Sequence, residues 1–460
     1  MSNELPAGAA IRRLRKREAL TQQEFAARLG ISASYLNLLE RNRRRLSARV
    51  AMQLVAEFGF DPKSLAVEDS VGGTTGLQRR LADSRFADLD LDRDEVDEFL
   101  TQYPQLATAF ARAYDNASPT PVANETTPGR LNHVREEIDR WRNHFGDLDE
   151  AGEALADEIR LSRGELAQAL TERLRERHQL SVRILPQDVM PAALRRMDLH
   201  ARQVQLSEMM SSEARTFQLA QQVVELEFRQ DVRRYADGAN LPTEGERALF
   251  VRHLNAYTAA AIVMPYRRFL RACEATGYTF PVLMRRFGVS FEQLAHRLTT
   301  LQRVGERGLP FFMARIDRAG QFSKRYIGAS KADFLNAPGT CPLWNMHRAF
   351  AARGEWVAQL LNMEGSVPER WLTISRAVEH PTGTGSAHFV VTLGLDAKIA
   401  TALDPWHGCS LTPDTATLAG PGCARCYRAA CPQRAVPPPD WSVEVGTTGR
   451  RANPFGTDKL

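Results

Sequence analysis

Thr21, Glu24, Gly30 and Ser32 punctuate a short stretch of chain in a way that leaves room for one local structure. Thr21 is a helix-capping residue, and Glu24 three positions later completes a capping box. Phe25, Ala26 and Leu29 follow at helical spacing. Gly30 allows a tight turn with positive φ. Ser32 can then cap a second helix running to about Arg41. Ala26 is small where the two helices cross, and Ile31 and Leu36 fill the gap between them. Ile11, Leu14 and Ala19 before this hairpin, and Val50, Leu54, Val55 and Phe58 after it, supply further inward faces. Asp61-Pro62 closes an all-helical unit over 8–66.

The charge follows this unit. Residues 11–49 hold eleven Arg or Lys against Glu18, Glu24 and Glu40, a local charge of +8. The whole chain carries +5, so the remainder carries −3. A basic head on a mildly acidic body fits a nucleic-acid-binding module on a larger non-binding part. Ser32, Ala33, Ser34, Tyr35 and Asn37 stand at the exposed front of the second helix, which suits the major groove. Asn37 can read adenine. Gln22, Arg43, Arg44 and Arg45 suit phosphate contacts, which position without specifying. The segment Leu20–Glu40 resembles the helix-turn-helix of the phage-repressor-like (XRE) family.

The rest of the chain is long enough for further domains with real cores. The expected fold is mainly α with an α+β C-terminal part. Residues 1–70 form a five-helix DNA-binding domain. Residues 71–130 form an acidic helical linker region, with a flexible stretch at Gly72–Gly76, acidic helix over 81–114 and a Pro-containing linker over 117–128. Residues 131–310 are mostly helical, with a strand pair near 181–185 and 197–206, a long helix over 212–235, and helices over 244–272 and 290–304. Residues 311–440 turn β-rich, and 441–460 read as a disordered tail. No apolar run is long enough to span a membrane. The N-terminus lacks an apolar core with a small-residue cleavage site, so the expected location is the cytoplasm, with reduced cysteines.

Four cysteines crowd together as Cys409, Cys423, Cys426 and Cys431, a C-x13-C-x2-C-x4-C-P array. In a reducing compartment this spacing points to a metal or cluster site. Structural zinc sites pair two short knuckles. Bunched cysteines ending in Cys-Pro are closer to iron–sulfur ligation. Both remain open on spacing. Arg425, Arg428 and Arg434 can offset thiolate charge, and His407 reads as a loop histidine.

The stretch Thr216–Glu225 has the frame in which zinc proteases place His-Glu-x-x-His on a helix. Here Gln221 and Glu225 stand at the ligand positions and Gln222 at the base position. Gln222 cannot take a proton, so an enzyme is not expected. The frame, with Ala260–Pro265 downstream, resembles a degenerate ImmA/IrrE peptidase domain.

These parts in this order resemble the short-chain fatty acyl transcriptional regulator family. The resemblance rests also on Gly339-Thr340-Cys341-Pro342-Leu343-Trp344-Asn345, on Gly422–Cys426 and on Cys431–Ala435. It implies a regulator of propionate or acetate metabolism that senses a short-chain acyl-CoA and carries a C-terminal [4Fe–4S] cluster on Cys409, Cys423, Cys426 and Cys431. Double-stranded operator DNA and a second copy of the chain are the expected partners. Cations for the CoA phosphates beside an apolar slot are offered by Arg315, Lys324 and Arg325, or by Arg267 and Arg268 next to Tyr266. Cys341 and Trp344 are expected in packing. The competing readings are a zinc-stapled DNA-binding scaffold for a protein partner and a DNA-binding metallopeptidase, the latter opposed by Gln221, Gln222 and Glu225.

Overall fold

A computed structural model describes residues 8–18, 20–40, 44, 46–60, 73–83, 86, 89, 91–117, 132–161, 165–191, 193–337, 339–363, 369–382, 385–428, 431–438, 441–443 and 455–459. Arg43, Arg45, the Asp61-Pro62 stop and the 118–128 linker lie outside them. The chain divides into two compact units, residues 1–124 with 233–241, and residues 125–232 with 242–460.

The first unit opens with helices α1 (Gly8–Arg17), α2 (Gln22–Arg28), α3 (Ala33–Glu40) and α4 (Ala48–Phe58). These are the described members of the expected five-helix bundle. Ile11, Phe25, Leu29, Leu36 and Leu54 are fully buried at its centre. Phe58 stacks on Phe25 at 4.5 Å between ring centroids. Val55, expected inward, is exposed. Helix α4 stops at Gly59, whose φ of +58 terminates it without the proline.

Helices α5 (Gly73–Leu81), α6 (Arg93–Gln102) and α7 (Pro104–Ala117) follow, around a small core of Leu77, Val96, Ala107 and Ala111. The Gly-rich stretch read as a flexible linker therefore starts a helix, because Leu77 anchors it in this core. The acidic helix expected over 81–114 begins only at Arg93, where Asp92 caps it, and Pro104 then separates its two parts from a first helical position, where it loses no hydrogen bond.

The second unit begins with α8 (Asn132–Arg140), α9 (Gly146–Leu161) and α10 (Leu166–His178). A sheet of β1 (Ser181–Leu185), β2 (Arg195–Asp198) and β3 (Gln203–Ser207) has the order β1-β3-β2, three strands where a pair was expected. The expected 212–235 helix breaks at Phe228 into α11 (Ser212–Glu227) and α12 (Arg229–Gly238), the latter belonging to the first unit from Arg233 on. Pro265 likewise splits the 244–272 helix into α13 (Glu244–Val263) and α14 (Tyr266–Ala275). Tyr257–Val263 are buried around the whole circumference of α13, as a core helix requires. Helices α15 (Phe280–Phe287) and α16 (Phe291–Leu298) complete the helical part. The last turns of the expected 290–304 helix form instead a hairpin of β4 (Gln302–Arg303) and β5 (Glu306–Arg307).

The C-terminal sheet contains β6 (Phe312–Ile316), β7 (Phe322–Tyr326), β8 (Val357–Met363), β9 (Glu369–Thr382), β10 (Gly385–Asp396) and β11 (Thr417–Ala419), in the order β11-β8-β9-β10-β6-β7. Its core face packs Phe312, Trp344, Met346 and Trp371, with Cys341 at the margin. Two strands, β12 (Trp441–Val443) and β13 (Phe455–Lys459), pair antiparallel in the stretch read as a disordered tail.

Candidate functional sites

In the basic head the helix ends form as the sequence dictates. Thr21 Oγ1 accepts from Glu24 N–H at 3.3 Å, and Glu24 Oε2 accepts from Thr21 N–H at 2.8 Å. The Thr21 N–H, which contributes most, and the Thr21 hydroxyl, donating to Glu24 Oε2 at 2.8 Å, hold the exposed Glu24 carboxyl below its ordinary pKa. Gly30 takes φ +62, and Ile31 N–H closes onto Ala26 O at 3.0 Å. Ser32 Oγ accepts from Tyr35 N–H at 3.1 Å and so starts α3. On the front of α3, Ser32 and Ser34 are exposed, and Ala33, Tyr35 and Asn37 are half-buried. Arg44 is exposed beyond the C-terminal end of α3. One of the two amide N–H groups of Gln22 is held within the head. Its Nε2 donates to Glu40 Oε2 at 2.8 Å. Glu40 is buried and also receives Arg15 Nε at 2.6 Å and Nη2 at 3.2 Å. Burial alone would raise the Glu40 pKa, but Arg15 and Gln22 hold it below its ordinary value.

The residues expected at an effector pocket divide into three groups. Tyr266 OH donates to Glu306 O at 2.7 Å, and Arg267 pairs with Glu306 at 3.0 Å. Arg315 and Lys324 both reach Glu292 Oε1, at 2.8 and 2.7 Å, with His380 at 2.8 Å on the other oxygen. Against its burial, His380, Lys324 and Arg315 hold Glu292 far below the carboxylate range. Arg325 lies apart from both, its Nη1 on Leu335 O at 2.5 Å.

Arg325 leads to a cluster that sequence reasoning missed. Burial lowers its pKa to about 10, with Arg135 adding to the effect. Its Nε is buried without a partner. Burial also lowers Arg135 and raises Asp139 to about 7, the latter accepting from Ile327 N–H at 3.4 Å. Next along β7, the Tyr326 ring meets His253 at 5.5 Å and His296 at 4.8 Å. Asn143 joins the two histidines, 3.0 Å from His253 Nε2 and 3.4 Å from His296 Nε2. Burial keeps both neutral, His253 at about 3 and His296 well below its ordinary value. Behind them, the fully buried Arg297 donates to Asp149 at 2.7 Å and fixes the end of α16. These side chains come from α8, the α8–α9 turn, α9, α13, α16 and β7. Periodicity marks such positions as half-apolar, so no local signal reveals them.

The degenerate peptidase frame lies on α11. Gln222 is buried, and Arg195 of β2 donates to its Oε1 at 3.0 Å and pairs with Glu225.

In the cysteine segment, Cys426 and Cys431 are buried and Cys423 is half-buried. Arg434 organises the loop by donating to Cys426 O at 2.9 Å and to Arg428 O. Gly422 takes φ +100, and a β-carbon there would stand 3.1 Å from Gly339 O. The Gly339–Asn345 motif therefore lies directly against the residue before Cys423. Cys341, two residues into that contact, is buried beside Trp344. Cys409 is arranged differently. Its thiol faces Ser410 O at 3.6 Å, and its N–H donates to His407 Nδ1 at 3.1 Å. Burial raises its pKa. Among the described residues no three His, Cys, Asp or Glu side chains stand close enough to hold an ion. Among the described residues no helix is long and apolar enough to cross a membrane.

Comparison with known proteins matches three segments of the chain. Residues 11–65 match a helix-turn-helix family, 175–299 the IrrE N-terminal-like domain, and 300–455 the short-chain fatty acyl coenzyme A regulator C-terminal domain. The propionyl-CoA carboxylase regulator of Cereibacter sphaeroides is 32% identical over 469 residues, spanning 99% of both chains. The transcriptional regulator RamB of Mycobacterium tuberculosis is 32% identical over 98% of this chain and 99% of its own. PrpR of the same organism is 30% identical over 98% and 95%. A solved Mycobacterium tuberculosis transcriptional regulator superposes with a TM-score of 0.66 at 32% identity, covering 72% of this chain and all of its own. The chain belongs to the short-chain fatty acyl coenzyme A regulator family and is a DNA-binding transcriptional regulator.

Proposed function

We propose that this regulator controls propionate or acetate metabolism by sensing a short-chain acyl-CoA, and that it binds its operator as a homodimer. The observation that carries the sensing is the Arg135–Arg325 pair. Two arginines share one titratable carboxyl, Asp139, and a buried Nε of Arg325 has no acceptor. A bound anion would supply what is missing, and CoA phosphates are such anions. Beside them, Tyr326, His253 and His296 offer an uncharged wall for the acyl end. The names of the relatives support the choice of metabolite. Propionyl-CoA titrated into wild type and into Arg325→Ala tests the reading: tight binding to the first and weak binding to the second are expected, and equal binding would refute it.

We further propose an iron–sulfur cluster in the C-terminal domain, with zinc as the alternative. The thiols fit such a group by donor chemistry. Cys423, Cys426 and Cys431 would hold it. The contact of Gly422 with Gly339 favours Cys341 as the fourth ligand over Cys409. When bound, the group would cross-link two loops of the domain. Arg434 orients the carbonyls of the Cys423–Arg428 turn for it. On the DNA side, Ser32, Ala33, Ser34, Tyr35 and Asn37 would read bases, with Arg43, Arg44 and Arg45 on phosphates. Gln22, oriented by its bond to Glu40, would reach a phosphate with its second N–H.

A further inference from the structure

The IrrE-like domain implies a zinc ion on α11, and the residues there do not fit one. Zinc needs three protein ligands drawn from Cys, His and carboxylates. Of the two ligand positions on this helix, Gln221 and Glu225, only Glu225 is of that kind, and the base position holds Gln222. The place has another occupant. Arg195 projects from the edge strand β2 onto α11, in register opposite Leu206 of β3. Its Nη1 donates to Gln222 Oε1 at 3.0 Å and lies 3.5 Å from Gln218 O, and its Nη2 pairs with Glu225 Oε1. Two residues along the same strand, Met197 Sδ accepts from Gln222 Nε2 at 3.6 Å. The Gln222 amide is thus satisfied at both ends by β2, at a position where the peptidase frame needs a base facing water.

We infer that in this chain the guanidinium of Arg195 replaces the metal: a permanent organic cation clamps α11 to β2 and excludes zinc. The replacement is chemically coherent. An ion bridges ligands through its charge, and a guanidinium does the same through a planar fork of N–H donors. Glutamine at the base position becomes an acceptor for that fork, and the surviving carboxylate becomes its counter-ion. The clamp needs no metal supply and responds to no chelator. A positive charge already in place also opposes entry of a second cation. The domain is therefore kept as a fold, with its helix–strand junction fixed by side chains alone.

Hydrogen–deuterium exchange over Ser212–Glu227 in the full-length chain tests this locally, apart from any metal held by the cysteines. Arg195→Met and Glu225→Gln should each lower protection of this helix by about tenfold, as expected for losing a charge-assisted bond. The double variant should lose little more than either alone, because the two side chains act on one interaction. Arg195→Lys, which keeps the charge but not the fork, should fall between. Zinc or EDTA should leave the protection of wild-type α11 unchanged. Protection that rises with zinc or falls with EDTA would show a working ion site and overturn the inference. So would losses in the two single variants that simply add.

Discussion

Glu40 closes the recognition helix by accepting Arg15 at 2.6 Å and Gln22 at 2.8 Å, so one buried carboxylate ties α1, α2 and α3 together. Removing one partner of such a pair leaves the other charge uncompensated. Arg15→Met should therefore destabilise the head by about 3 kcal/mol, whereas Gln22→Ala should cost about 1 kcal/mol. Urea melts of the full chain, followed by a probe in the head, check both.

The same pair sets an acid limit. Glu40 is held below its ordinary pKa, so its contribution is present above the unfolded carboxylate value and is lost as pH falls through the lower, folded one. Stability of the head should drop on acidification below the ordinary carboxylate range. Glu40→Gln should be less stable at neutral pH and should show a flatter acid limb.

Specificity and affinity should separate on the DNA surface. Asn37→Ala should relax base preference at one position, at a loss of about 1–3 kcal/mol on the preferred sequence. Arg44→Ala should weaken specific and random DNA alike and reduce the salt slope by about 1. Fluorescence anisotropy at several salt concentrations distinguishes the two. Equal effects of both variants on all sequences would remove Asn37 from base reading.

Iron and sulfide content of protein purified without oxygen decides the ligand set. Cys341→Ser should lose the cluster as completely as Cys426→Ser, and Cys409→Ser should retain it. Retention by Cys341→Ser with loss by Cys409→Ser would restore Cys409. One zinc per chain and no iron would favour the zinc alternative.

Acyl-CoA affinity should depend on pH through Asp139. Its carboxyl is neutral below about 7 and ionised above. Once ionised, it competes with an anionic ligand for Arg135 and Arg325, so affinity should fall as pH rises through this range. Because its folded pKa lies above the unfolded one, folding stability should also decline from the ordinary carboxylate range up to about 7. Asp139→Asn should flatten both profiles in calorimetric titrations.

The sequence made local structure legible and distant convergence illegible. Thr21, Glu24, Gly30 and Ser32 determine their own backbone, and each occupies the position its chemistry predicts. Phe228 and Pro265 break helices that hydrophobic spacing alone would continue. Gln22 carries an amide that suits a phosphate, and only the fold shows that Glu40 accepts one of its two N–H groups. Arg135, Asp139, His253, His296 and Arg325 come from four separate elements, so no spacing rule links them. Cys409 falls within the cysteine-rich stretch, whereas the loop contact of Gly422 runs to Gly339, beside a cysteine far upstream.

Control by an effector requires coupling between the effector and operator sites. Reciprocity requires each to change the affinity of the other by the same factor. The most direct measurement is operator affinity at fixed salt with and without saturating propionyl-CoA, paired with propionyl-CoA affinity with and without operator. Equal changes of about 5-fold or more in the two directions are predicted. An operator affinity unchanged by bound propionyl-CoA would exclude this thioester as the effector.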